Sequence, residues 1–178
     1  MELYPRHDYP ESVSVNVEKR VDVPGDATHV EEAWTLKERI RATEGVLKQR
    51  RGFFTDAYRR STTYLLYEKG SVDPDGKSLV AFASVRRDGY ILFLAVSPDA
   101  RGRGYAKQLV AQVAEENGSV TCHARTTNEA ALGFYEHVGF DVVRRIDNYY
   151  EDGGDAYYLR LGDGSGESLA ERLSGFLR

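Results

Sequence analysis

Residues 90–114, YILFLAVSPDARGRGYAKQLVAQVA, constrain this chain more than any other stretch. The first seven of them, ending at Val96, form an apolar run long enough for a central strand. Ser97-Pro98-Asp99 then signals a turn, because proline cannot donate to a sheet ladder. Ala106, Leu109, Val110, Val113 and Ala114 follow at helical spacing. A strand, a glycine-bearing turn and a helix in succession make an anion trap. The unbonded N–H groups of the first helical turn and the helix dipole both favour negative charge. Gly102 and Gly104 permit close backbone approach, Ala106 adds little bulk, and Arg101, Arg103 and Lys107 supply positive charge. On shape alone, a tight turn followed by an amphipathic surface helix accounts for the stretch equally well.

Arg101, Gly104 and Ala106 fit the pattern Arg/Gln-x-x-Gly-x-Gly/Ala, and the block resembles the acyl-CoA pyrophosphate loop of the GNAT family of N-acetyltransferases. It differs from the Gly-x-Gly-x-x-Gly dinucleotide fingerprint and lacks the lysine and hydroxyl residue of a P-loop. The resemblance extends to about Leu161. It implies an α/β (mixed α+β) fold: one GNAT-like domain with a central mixed, mostly antiparallel sheet flanked by helices. It also implies acetyl-CoA as cofactor, held by Leu94, Ala95, Val96, Arg101, Gly102, Arg103, Gly104, Tyr105 and Ala106, with the pyrophosphate over residues 103–106.

With 178 residues, 41% apolar and 29% charged, the composition is that of one ordinary soluble domain. The net charge of -4 argues against a general nucleic-acid binder, though a local basic patch remains compatible with it. The single cysteine, Cys122, excludes an intrachain disulfide framework and a cysteine-rich zinc site. No clustered ligand motif suggests a metal. No apolar run approaches membrane length, and MELYPRHDYPES lacks the apolar segment of a signal peptide. The expectation is a cytoplasmic protein, monomer or homodimer, with no membrane or nucleic-acid partner.

Residues 1–12 read as a loose arm, 13–161 as the acyltransferase domain, and 162–178 as a tail in which Leu169, Leu173 and Phe176 or Leu177 suit a short docked helix. Within the domain, Val13, Val15 and Val17 alternate with polar residues as in a half-buried strand. Thr28-His29-Val30-Glu31 has the pattern of a capping box, opening a helix that turns Ala33, Leu36 and Ile40 inward and places His29 towards solvent. Residues 41–60 hold five arginines and one lysine against Glu44 and Asp56, interrupted by Phe53, Phe54 and Tyr58. That pattern is either a short helix with a solvated basic face or one wall of a substrate groove. Three hairpin-linked strands precede the glycine turn, with the connections KGSVDPDGK and Asp88-Gly89. A short strand at 120–124, a helix opened at Asn128 and closed by Gly139, and two strands at 141–147 and 156–161 complete the order β-α-α-β-β-β-α-β-α-β-β.

The second block of the resemblance is His123-Ala124-Arg125-Thr126-Thr127-Asn128, then Phe134-Tyr135-Glu136 and Gly139-Phe140. It implies that Asn128 holds the pantetheine arm and that Tyr135 lies beside the thioester sulfur as proton donor. As plain structure, Asn128 is an N-cap and Tyr135 a packed aromatic. The third block, NYYEDGGDA at 148–156, resembles the tail of ribosomal-protein and protein N-terminal acetyltransferases. By that resemblance Tyr149 and Tyr150, together with Phe53 and Phe54 after the first helix, border the acceptor: the N-terminal α-amine of a protein or peptide. LKQRRGFFTDAY matches the relatives' first helical loop weakly, which leaves a lysine side chain, a polyamine or a small amine open.

Direct transfer to an amine needs a proton acceptor on the amine side, a donor at the sulfur and N–H groups at the thioester oxygen. By the resemblance, His123 occupies the strand position that often carries glutamate in related N-terminal acetyltransferases and histidine in some, and is the expected base, with Tyr135 the acid; as plain structure it is a buried histidine. Backbone N–H groups of a splayed or bulged strand at 94–96 would meet the oxygen. A covalent relay through Cys122 is disfavoured, because successive strand residues face opposite ways. The non-enzymatic alternative is a CoA-sensing or peptide-binding module.

Overall fold

The computed structural model describes residues 17–70 and 76–162. The arm at 1–12, the alternation at Val13 and Val15, most of the KGSVDPDGK turn and the tail helix fall outside the described residues. In chain order the elements are β1 (Val17–Asp22), α1 (Val30–Glu44), α2 (Arg51–Arg59), β2 (Thr62–Lys69), β3 (Lys77–Val85), β4 (Ile91–Val96), α3 (Tyr105–Glu116), β5 (Thr121–Arg125), α4 (Glu129–Val138), β6 (Phe140–Ile146) and β7 (Ala156–Leu161). A short 3-10 turn at Pro98–Ala100 leaves β4, as the proline predicts. The strands form two antiparallel sheets, β1-β2-β3-β4 and β5-β7-β6. They join through a parallel bridge between Tyr90 and Thr121. Among the described residues, no helix is long and apolar enough to cross a membrane.

Strand alternation divides the core into two layers. Tyr64 and Leu66 of β2, with Ala81 and Ala83 of β3, pack with Leu109, Val110 and Val113 of α3. Leu65 and Tyr67 of β2, with Phe82, pack with Ala33, Leu36 and Ile40 of α1 and with Phe54 and Tyr58 of α2. The inward faces of α1 and α3 are those the helical spacing predicts. In β4 the alternation slips once. Ser84 pairs with Phe93 and Val85 with Ile91, so Leu92 is an unpaired bulge residue. Ile91 thus joins the α3 layer, while Phe93 and Ala95 join the α1 layer. The bulge lies at Leu92, not at 94–96, where pairing to β3 is regular.

The start of α1 departs from the sequence reading. Thr28 turns back to Asp26, its hydroxyl 2.6 Å from Oδ1, and forms no capping box. The cap comes instead from Asp22 of β1, whose Oδ2 accepts the His29 N–H at 3.0 Å. His29 Nδ1 lies 2.7 Å from Asp22 Oδ1, and the Tyr58 hydroxyl donates to Oδ2 at 2.5 Å. His29 is therefore held against a buried carboxylate rather than facing solvent: a carboxylate taken out of water is tolerated when donors surround it.

Candidate active site

β4 and β5 touch at Tyr90 and Thr121 and then diverge, leaving a cleft of about 830 Å³ between them. Gly89 makes the junction possible. Its φ is 79°, and its carbonyl accepts the Thr121 N–H at 3.1 Å. A Cβ there would lie 1.8 Å from the Ser119 carbonyl oxygen. Beyond the junction, the β5-facing edge of β4 has no ladder partner among the described residues, and Leu94 and Val96, alternating with the β3-bonded Ala95, turn their backbone polar groups to the cleft. The expected splay is present.

At one end the cleft meets the N-terminus of α3. Gly104 is the N-cap, with φ 82°, and no side chain caps the helix. Gly102 is also left-handed, at φ 77°. The first-turn N–H groups of α3 therefore face a turn whose backbone carries no side chain at its two tightest positions, which suits a pyrophosphate. Gly102, Gly104, Tyr105, Ala106 and Arg101 line this end. Arg101 fastens the turn: its Nε donates to the Val96 carbonyl at 3.0 Å, and its guanidinium pairs with Glu44 at 2.9 Å. Arg103 does not line the cleft. It pairs with Glu68 at 2.5 Å, alongside the Tyr105 hydroxyl, because β2 places a carboxylate on that outer side of the turn.

Midway along the cleft, Asn128 caps α4, its Oδ1 accepting the Ala131 N–H at 3.1 Å. The oxygen is committed to the helix, which leaves the amide NH2 to serve a ligand. Tyr135 lines the cleft and packs beside Cys122; burial holds its phenol well above the ordinary value, so the proton stays on the oxygen. Burial also raises the Cys122 thiol to about 12, and the residue is 1% exposed. It is an inert core thiol rather than a relay nucleophile.

The other end is aromatic. His123 Nδ1 is 2.6 Å from the Tyr90 hydroxyl. The ring of Tyr149 stacks on the imidazole at 4.3 Å and 11°, and Tyr158 lies at 5.0 Å. Burial, then repulsion by Arg144 and Arg86, pushes the imidazole below its ordinary pKa, so His123 is neutral near pH 7. Tyr150 meets Tyr149 edge-on, with the Arg125 guanidinium 4.0 Å above its ring. Arg125 also bonds Asp152 at 2.9 Å, and this contact, with the Gly154 N–H, draws the Asp152 carboxyl down to about 2. Lys48 reaches the same carboxylate at 3.6 Å from the loop between α1 and α2. The α1–α2 and β6–β7 loops thus meet across the cleft mouth.

Of the residues named from sequence, His123, Tyr135, Asn128, Phe53, Tyr149 and Tyr150 converge on the cleft. Phe54 does not. It is fully buried, 4.8 Å from the Phe93 ring and 5.4 Å from Trp34, whereas its neighbour Phe53 is 57% exposed. On a helix, adjacent residues point about 100° apart, and α2 can give the cleft one of the two. The sequence reading missed Tyr90, whose one signal was a hydroxyl-bearing aromatic at the mouth of an otherwise apolar run. It also missed Arg125, Lys48 and Asp152, which have no motif. Among the described residues, no group of three or more His, Cys, Asp or Glu side chains is placed to hold a metal ion.

Fold and cleft together define a domain class, and the family described as Acetyltransferase (GNAT) family matches residues 30–140. The chain belongs to that family. It is 40% identical over 78 residues to N-alpha-acetyltransferase MAK3 of Arabidopsis thaliana, a stretch covering 41% of each chain. It is 33% identical over 99 residues to N-alpha-acetyltransferase RimI of Mycobacterium tuberculosis, covering 50% of this chain and 63% of that protein. The matched stretches thus span less than two thirds of these relatives. The fold is similar to Arabidopsis thaliana NAA60, solved in complex with a bisubstrate analogue, with a TM-score of 0.63, 20% identity, and coverage of 82% of this chain and 98% of that one.

Proposed function

We propose that this chain transfers an acetyl group from acetyl-CoA to an amine, and that the amine is the N-terminal α-amine of a protein or peptide. The observation that carries the reading is the continuity of the cleft from the uncapped N-terminus of α3, past Tyr135, to the His123–Tyr90 pair. The named N-alpha-acetyltransferase relatives support the choice of acceptor.

Bound there, acetyl-CoA supplies an activated acetyl thioester. The α3 terminus and the glycine turn hold the pyrophosphate, and the Asn128 NH2 steadies the pantetheine arm. N–H groups on the open edge of β4 meet the charge that develops on the thioester oxygen. His123 removes the amine proton, directly or through one water. A Tyr90 oxygen accepting from Nδ1–H leaves the Nε2 lone pair to act as base. Tyr135, held protonated by burial, donates to the sulfur as the thiol leaves. Tyr149, Tyr150 and Phe53 form the walls around the acceptor. The absence of any membrane-length helix among the described residues, together with the ordinary soluble composition, suits a cytoplasmic enzyme.

Incubation with acetyl-CoA and a peptide library, with products mapped by mass spectrometry, tests this. Acetylation at α-amines is the expected result. Product confined to lysine side chains or free amines would overturn the acceptor, and CoA binding without product would overturn the enzyme.

A further inference from the structure

The loop between α1 and α2, residues 45–50, forms one wall of the acceptor end, with Val46, Leu47, Lys48, Gln49 and Arg50 lining the cleft. Its backbone is strained: Leu47 is a non-glycine residue with φ 56°, a left-handed conformation in which its Cβ crowds the backbone. Such strain persists only where surrounding contacts impose it.

Those contacts converge on Lys37. Its side chain is 0% exposed, inside the apolar face of α1 between Ala33 and Ile40. Nζ donates to the Gln49 main-chain carbonyl, twelve residues on, and lies 3.1 Å from Glu38 Oε1 and 4.5 Å from the Trp34 ring centroid. A buried ammonium is costly, and burial lowers its pKa accordingly. An apolar residue would fill this helix position at no such cost. Glu38 and Trp34 lie on Lys37's own helix; the contact that reaches beyond α1 is the ammonium's grip on the loop backbone two residues after the strained Leu47. On the far side, the exposed Lys48–Asp152 contact adds little holding force.

We propose that Lys37 is a positioning residue for the acceptor wall. Its bond to Gln49 holds the loop in the conformation that fits the acceptor, without touching acceptor or cofactor. The inference rests on the function proposed above, and its test separates the two. Lys37→Met keeps the length and removes the donor. It should raise the acceptor KM about tenfold while kcat and CoA affinity stay within about twofold. It should also speed tryptic cleavage after Lys48, Arg50 or Arg51 and leave cleavage elsewhere unchanged. Lys37→Arg, which retains donors, should recover a large part of both. The emission of Trp34, the single tryptophan, reports whether its surroundings stay folded. If Lys37→Met melts below assay temperature, Lys37→Gln, too short to reach Gln49, is read the same way. Unchanged KM and unchanged loop cleavage would overturn the proposal, as would an equal fall in kcat or loss of CoA binding. If the wild type acetylates nothing, the function fails, and the cleavage pattern still decides whether Lys37 holds the loop.

Discussion

The Tyr90 hydroxyl lies 2.6 Å from His123 Nδ1, although Tyr90 leads into the four-stranded sheet and His123 belongs to the three-stranded one. Tyr90 immediately precedes β4 and His123 sits in β5, two residues beyond the Thr121 that Tyr90 bridges. The pair therefore stands at the fork where the strands part. The apex of the cleft and the proposed base have one structural origin.

Replacing the base should separate chemistry from binding. His123→Ala should lower kcat by about 10²-fold, with CoA affinity nearly unchanged. Tyr90→Phe should lower kcat by less, since the imidazole remains and loses only its orientation. Steady-state kinetics beside calorimetry with CoA check both; an unaltered rate in His123→Ala would remove it from the mechanism.

The pH dependence has a definite sign. Partial burial, and then Arg144 and Arg86, hold His123 below the ordinary imidazole value. The acidic limb of kcat/KM should therefore fall below about pH 6.5. Arg144→Gln removes one repulsion and should move the limb upward. The same depression links protonation to stability. The unfolded chain binds a proton that the folded chain resists, so this contribution is complete above about pH 6.5 and is lost as pH falls towards the lower folded value. A limb unmoved in Arg144→Gln would show that another group sets it.

Gly104→Val should lower CoA affinity at least about tenfold by placing a branched side chain where the pyrophosphate approaches. With φ at 82°, it should also cost about 1–2 kcal/mol of stability. Calorimetry on the folded variant tests the placement, and undiminished affinity would refute it.

Phe53 and Phe54 should behave oppositely. Phe54→Ala empties a fully buried site and should cost about 3–5 kcal/mol in urea unfolding. Phe53→Ala, at 57% exposure, should leave stability nearly unchanged and raise the acceptor KM. A large stability loss from Phe53→Ala would contradict its place on the cleft wall.

Gly89→Ala should destabilise the chain by about 2 kcal/mol or more, because its Cβ would meet the Ser119 carbonyl across the sheet junction. Thermal melting is the measure, and a variant as stable as wild type would mean the junction can open without cost.

The element order and the facing of α1 and α3 were legible in the sequence, since both follow from local periodicity. The glycine turn before α3 was legible for the same reason: Gly102 and Gly104 mark left-handed backbone wherever the chain goes next. His123 and Tyr135 were named through resemblance, not spacing, and their convergence on one cleft is a property of the fold. The capping box at Thr28 failed because the competing cap, Asp22, comes from another element. Periodicity counts residues along one segment and has no access to such a donor or acceptor.

What the sequence determined by itself was the set of elements and the glycine turn before α3, each governed by residues within one or two turns of one another. Tertiary structure decided which side chains meet. It separated Phe53 from Phe54, sent Arg103 outward to Glu68, and brought Tyr90 to His123 across 33 residues of chain. The physical reason is that each of these depends on how separate elements pack; the last depends on where β4 and β5 part, beside a bulge at Leu92 and a backbone approach at Gly89. Both are geometries of paired strands, and neither exists until the strands have paired.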